Sequence, residues 1–178
     1  FAMFMAGGVG SHKCDVPKAG WECIDDMADG LTEKILDVEK ELPAAERGGV
    51  EMYRIPLLLS DPQVKLTEAI KVRGWLFKAA FREYPASLTA LRVGKTIFLG
   101  TPCDFSGELT ASLDSLAASG GANLIVTSFN GGYIGYVTPS KYYDVDHYET
   151  RIMNWYAPGT GEYITTCLEK ILEGMTRE

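Results

Sequence analysis

The stretch NGGYIGYVTPSKYYDVDHYE, Asn130 to Glu149, holds five of the chain's nine tyrosines (Tyr133, Tyr136, Tyr142, Tyr143 and Tyr148) and one of its two histidines, His147. A phenol donates a hydrogen bond as it stands. It ligates a metal as phenolate only where a cation lowers its pKa from about 10. Tyr133 and Tyr136 flank glycines, where a phenol can be held without steric crowding. Tyr142 and Tyr143 are adjacent, a pattern typical of surface and packing residues.

Two further segments hold chemically capable groups. The glycines of Gly7 to His12 permit close backbone approach. Main-chain N–H groups there can face an anion or developing oxyanion, with the Ser11 hydroxyl beside them, or the loop is a plain glycine turn with a capping serine. Asp104 and Glu108 lie four apart across the start of a predicted helix. Asp104 is a hard oxygen ligand for a metal, or else a carboxylate stabilising the positive end of the helix dipole.

Composition narrows the classes. The chain has 178 residues, of which 46% are hydrophobic and 23% charged, enough for one globular domain with a substantial core. A net charge of -7 and the lack of any Lys/Arg run argue against a nucleic-acid partner, which needs clustered cations to displace counterions. Cys14, Cys23, Cys103 and Cys167 have no CxxC spacing, so a closed structural zinc site from this chain alone is not expected. Cys14 and Cys23 are near enough in sequence to pair, and small buried thiols account for most of the four. No run reaches the ~20 apolar residues of a transmembrane helix. No GxGxxG or Walker pattern points to nucleotide. The opening FAMFMAGGVG lacks a basic flank and an initiator methionine and reads as a chain met in mid-strand, part of something longer.

The elements that must position these groups follow from periodicity. FAMFMA reads as a buried strand closed by Gly7-Gly8. Trp21, Ile24, Met27, Ala28, Leu31, Ile35 and Val38 recur at helical steps, a stripe expected to face a core. VEMYRIPLLL reads as a strand weakened at Pro56. QVKLTEAIKVR suits an extended segment, and Trp75, Leu76, Ala79 and Ala80 a short helix before Pro85. SLTALRV and KTIFLG form a hairpin turning at Gly94-Lys95. Ser106 caps a helix carried by Leu109, Leu113, Leu116 and Ala117 and stopped at Gly120-Gly121. NLIVTSF has the continuous apolar character of a strand buried on both faces, and Tyr163, Ile164, Cys167, Leu168, Ile171 and Leu172 carry a final helix. With no repeat and no linker-like composition, the sum is a single α/β (or α+β) domain: a layered mixed β-sheet flanked by amphipathic helices. The three candidate loops each follow a strand, where ligands collect in such folds.

Together these segments resemble the C-terminal part of the catalytic domain of the neutral (alkaline, non-lysosomal) ceramidases, zinc amidases that cleave the N-acyl bond of ceramide. The family pattern is close to N-x-Y-x-H-Y-[VI]-T-T-x-x-E-Y-x-x-x-x-Y-E, and residues 130–149 reproduce its Tyr, Val-Thr, Tyr and Tyr-Glu positions at matching offsets. LRVGKTIFLGTPCDFSGEL is similar to the family's strand and Pro-Gly-Glu-Phe-Thr turn, and MFMAGGVGS to the strand entering its Gly-Asp-x-Ser-Pro loop. The resemblance implies that Asp104 stands at the zinc-binding Glu and Tyr136 at the zinc-binding Tyr. Tyr148 stands at a Tyr that hydrogen-bonds the scissile carbonyl or tetrahedral intermediate, and Ser11 at the serine beside the substrate amide. Gly10, Asn130 and Tyr133 become substrate-contacting positions. The chain departs from the family at Asp104, one methylene shorter than Glu, and at Gly135 for His, Pro139 for Thr and His12 for Pro. The family's two zinc-binding histidines lie in an N-terminal half that matches nothing here, His12 and His147 included.

The expectation is therefore the C-terminal portion of a zinc amidohydrolase domain, cleaving ceramide or a related acylated amine. The N-terminal half of the same domain would supply two histidines, and the isolated chain would have negligible zinc affinity and no activity. The alternative is a non-catalytic module of the same fold that binds lipid or another ligand. By resemblance alone, the setting would be secreted, periplasmic or cell-surface.

Overall fold

The computed structural model describes residues 3–15, 20–42, 48–67, 70–82 and 85–177. The chain divides into two compact units, Lys13–Arg47 and Phe1–His12 with Gly48–Glu178.

The smaller unit carries helix α1 (Trp21–Glu41), which matches the predicted stripe in extent. No residue of α1 is buried, and Ile24, Leu31, Ile35 and Val38 are all exposed, so the stripe finds no core within its own unit. Periodicity reports amphipathicity; it does not say whether a partner surface lies within the chain.

The larger unit is built on a four-stranded mixed sheet. Strands β1 (Val50–Pro56), β2 (Ser87–Val93) and β3 (Thr96–Gly100) are antiparallel neighbours, and β5 (Asn123–Thr127) runs parallel to β3 at the far edge. The β2–β3 turn falls at Gly94, whose φ of 58° is a conformation that favours glycine. Helix α2 (Gly74–Phe81) precedes β2, and α3 (Ala111–Ser119) carries the crossover from β3 to β5. Helix α4 (Thr160–Thr176) closes the chain. A second, two-stranded parallel sheet pairs β4 (Asp104–Phe105) with β6 (Tyr136–Val137).

The period of two along each strand sorts side chains onto two faces. Leu88, Ala90, Ile97 and Leu99 form one buried face and join Leu113, Ala117, Ile164, Leu168, Leu172 and Met175 of α3 and α4 in one core. The Arg92 guanidinium donates to the Met175 carbonyl at 2.6 Å, placing a cation at the C-terminal end of α4, where the helix dipole favours it. On the other face Met52, Leu91, Phe98 and Ile125 stand in register across all four strands, with Met52 66% and Ile125 40% exposed.

Several sequence expectations are revised. Residues 3–7 form no strand; beyond them Val9 makes a single bridge to Ser106. The first two residues of FAMFMA lie outside the described ones. Strand β5 is an edge strand with alternating exposure, not one buried on both faces. Pro56 ends β1 rather than interrupting it, which suits a residue without an N–H on an edge strand. The cysteines are free: Cys103 is buried, Cys23 and Cys167 are half-buried and Cys14 is exposed, so Cys14 and Cys23 are unpaired and buried thiols are not the majority.

Candidate active site

The short β4–β6 pair carries the site. Phe105 is fully buried, and alternation turns its neighbour Asp104 to the opposite side. In the parallel register Asp104 is partnered by Tyr136 and Phe105 by Val137, so the carboxylate and the phenol lie side by side. The Asp104 N–H donates to the Gly135 carbonyl at 3.0 Å, and the Tyr136 N–H to the Met153 carbonyl at 2.8 Å.

Three phenols gather there. Tyr133 donates its hydroxyl to Asp104 Oδ2 at 2.7 Å, and its ring sits edge-on to Trp155 with centroids 5.6 Å apart. The Tyr136 and Tyr148 rings meet edge-to-face at 5.7 Å. Asp104 is only 7% exposed, and burial raises its pKa, partly offset by the Tyr133 hydrogen bond. Burial raises the Tyr133 phenol too, reinforced by Asp104, and raises Tyr136, reinforced by Asp104, Tyr148 and Glu149. These phenols are therefore held protonated, poised to donate hydrogen bonds, and would ionise only beside a cation.

Gly10 and Gly135 are forced by close backbone approach. A Cβ on Gly10 would lie 2.4 Å from the Asp104 carbonyl oxygen, and the Gly10 N–H donates to Phe105 O at 2.9 Å. Gly135 has φ 79°, and a Cβ there would lie 2.3 Å from Met153 O. Glycine at position 135 is thus a steric requirement of this backbone.

Ser11 Oγ accepts from the Gly107 N–H at 2.9 Å, and Ser106 Oγ from the Glu108 N–H at 3.4 Å. Both hydroxyls serve the first turn of the short 3-10 helix Gly107–Thr110 that leads into α3. Ser11 thus sits beside β4 with its oxygen acting as a cap. The Asn130 amide donates to Thr127 Oγ1 at 2.7 Å and Ser128 O at 3.0 Å, fastening the turn after β5. Asp104 lies on β4 rather than at a helix start. Glu108 does lie in the first turn of the 3-10 helix, where Lys141 Nζ binds it at 2.7 Å and lowers its pKa. His12 Nδ1 lies 2.6 Å from Gly8 O, and His147 Nδ1 lies 3.0 Å from Glu149 Oε2. Among the described residues no three His, Cys, Asp or Glu side chains converge as a metal cluster.

Sequence reading did not foresee the Tyr133–Asp104 hydrogen bond, which spans 29 residues, or the role of Trp155. Beside Tyr133 and Trp155 lies a cavity of about 480 Å³ whose walls include Leu57, Phe77 and Tyr156. The aromatic character of 155–156 was the available signal, but no periodicity ties it to residue 133.

No protein-family model matches the sequence, and no curated protein matches it. Solved structures do. A neutral ceramidase from Pseudomonas aeruginosa is similar over 73% of this chain and 29% of its own, with 12% identity and a TM-score of 0.54. A ceramidase complexed with C2 is similar over 51% of this chain and 15% of its own, with 18% identity and a TM-score of 0.47. The chain thus spans under a third of the length of either, and over the larger shared span its fold is similar to that part of the neutral ceramidase.

Proposed function

We propose that this chain contributes half of a zinc site to a ceramidase-like amide hydrolase acting on ceramide or a related acylated amine. The observation that carries the reading is the constellation on β4–β6. A mostly buried carboxylate, Asp104, is set in register with a phenol, Tyr136, with Tyr133 hydrogen-bonded to the carboxylate and Tyr148 against Tyr136.

The donor set fits a cation in part. Asp104 and Tyr136 are oxygen donors of the kind zinc accepts, and both sit where burial disfavours ionisation unless positive charge is near. Two further ligands, expected to be histidines, would come from polypeptide outside these residues. Zinc so bound would supply a water of lowered pKa and polarise an amide carbonyl. Within this chain, Tyr133 holds the Asp104 carboxylate in place and Tyr148, half-exposed beside Tyr136, donates to the developing oxyanion. One well-aimed donor in that role is worth about 3 kcal/mol. Ser11, Gly10 and Asn130 shape the surrounding loops that meet substrate. A secreted, periplasmic or surface setting belongs to this reading; no helix among the described residues is long and apolar enough to cross a membrane.

The test is metal analysis of the polypeptide carrying this chain with the rest of its catalytic domain, followed by hydrolysis of an N-acyl amine with and without chelator. The expected result is one zinc per chain, chelator-sensitive hydrolysis, and a loss of about 100-fold or more in kcat for Tyr148→Phe. Zinc-free protein with undiminished hydrolysis would overturn the metal mechanism, and zinc-replete protein without hydrolysis would favour a ligand-binding module. For the 178-residue chain alone, titration should show negligible zinc affinity.

A further inference from the structure

We propose that the cavity between residues 65–71 and 143–151 binds a phosphate-class oxyanion. It measures about 100 Å³ and is lined by Lys65, Thr67, Lys71, Tyr143, Asp144 to Asp146 and Arg151. That is room for one tetrahedral oxyanion and not for a fatty chain.

Its charges are arranged against their own interest. Lys65 and Lys71 face each other as the two partners of an isolated antiparallel bridge, a register in which like charges destabilise. Both ammonium groups converge on one ring, Lys65 Nζ at 3.4 Å and Lys71 Nζ at 5.8 Å from the Tyr143 centroid. Lys65 is only 6% exposed and donates to the Tyr143 carbonyl. Burial lowers its pKa, Lys71 lowers it further, and Asp144 acts the other way. Arg151 pairs with Asp146 through one terminal nitrogen, while its Nε is shut off from solvent and has no acceptor among the described residues.

The described lining residues therefore bring three cations against two carboxylates, Asp144 and Asp146. A guanidinium and two ammonium groups lining one cavity match the acceptor oxygens of a phosphate. Thr67 adds a hydroxyl at the rim. The chain's net charge of -7 makes general attraction to anions unfavourable, so binding would have to be local.

The same chemistry is offered by free phosphate and by a phospholipid headgroup, and two arms separate them. Thermal unfolding of the whole chain is followed in inorganic phosphate against sodium chloride of equal ionic strength. Cosedimentation is measured with phosphatidylglycerol against phosphatidylcholine vesicles. Lys71→Gln is the main variant, since Lys71 is exposed and its loss relieves the repulsion on Lys65. A saturable rise in thermal midpoint with phosphate, weakened about tenfold or more in Kd by Lys71→Gln, assigns a soluble oxyanion. Sedimentation with phosphatidylglycerol alone, lost in the same variant, assigns a headgroup. No response in either arm, or one undiminished in Lys71→Gln, overturns the proposal. So does a Lys71→Gln chain less stable than wild type without phosphate, because Lys71 would then be a structural cation.

Discussion

At the scale of single residues, the strongest statement concerns Asp104. A carboxylate 7% exposed and bonded to a neutral phenol carries its charge against desolvation, and its folded pKa is raised. When the folded pKa of an acid exceeds its unfolded value, the native state binds more protons between the two values. Its stability contribution is then present below the unfolded pKa and is lost as pH rises through the folded pKa. Asp104→Asn keeps an acceptor for Tyr133 and removes the charge. The isolated chain carrying it should therefore have a higher thermal midpoint than wild type at pH 7, with the gain vanishing near pH 3. A lower midpoint at pH 7 would mean that the carboxylate already has a cationic partner. Because the Tyr133 hydrogen bond lowers the Asp104 pKa, Tyr133→Phe should raise it further, as read from a carboxyl-carbon NMR titration.

At the scale of elements, β4 and β6 are only two residues each, yet they set Asp104 against Tyr136. Their approach depends on glycines that admit no side chain. Gly135 combines φ 79° with a Met153 oxygen 2.3 Å from any Cβ. Gly135→His, which restores the residue of the ceramidase pattern, should therefore destabilise the chain by about 1–3 kcal/mol, measured as a lowered urea midpoint. A neutral result would show that β6 can shift to accept a side chain. The register Met52–Leu91–Phe98–Ile125 stands on the sheet face away from α3 and α4, and among the described residues none of the four joins the buried core.

At the scale of the whole molecule, the two compact units differ in what their apolar residues do. Every apolar side chain of α1 remains at least partly exposed, whereas the larger unit buries Leu88, Leu99, Leu113, Ile164, Leu168 and Leu172 completely. The cysteines report the contrast. Burial pushes the Cys103 thiol up to about 12, while Cys14 is exposed. An alkylating reagent at pH 7.5 should label Cys14 in the native chain and Cys103 only after unfolding, since the thiolate is the reactive form. Rapid native labelling of Cys103 would show that the core opens.

Periodicity by itself determined the kinds of element, because a 3.6-residue stripe or a period of two records which side chains must leave water. It placed α1, α4, the β2–β3 hairpin and the Ser106 cap. It failed at residues 3–7, where a short apolar run is equally consistent with a loop, and at β5 it placed the strand but not its burial, because an edge strand can carry the same apolar run. Residue type and spacing offered Asp104 and Tyr136 only with their plainer alternatives still open, and a family resemblance, rather than spacing, gave them and Tyr148 their expected roles. Only the tertiary structure decided that Tyr133 bonds Asp104, that Ser11 caps the turn after β4, and that Lys65, Lys71 and Arg151 share one cavity. Those contacts join segments far apart in the chain, and nothing in local spacing encodes which loops a folded sheet will bring together.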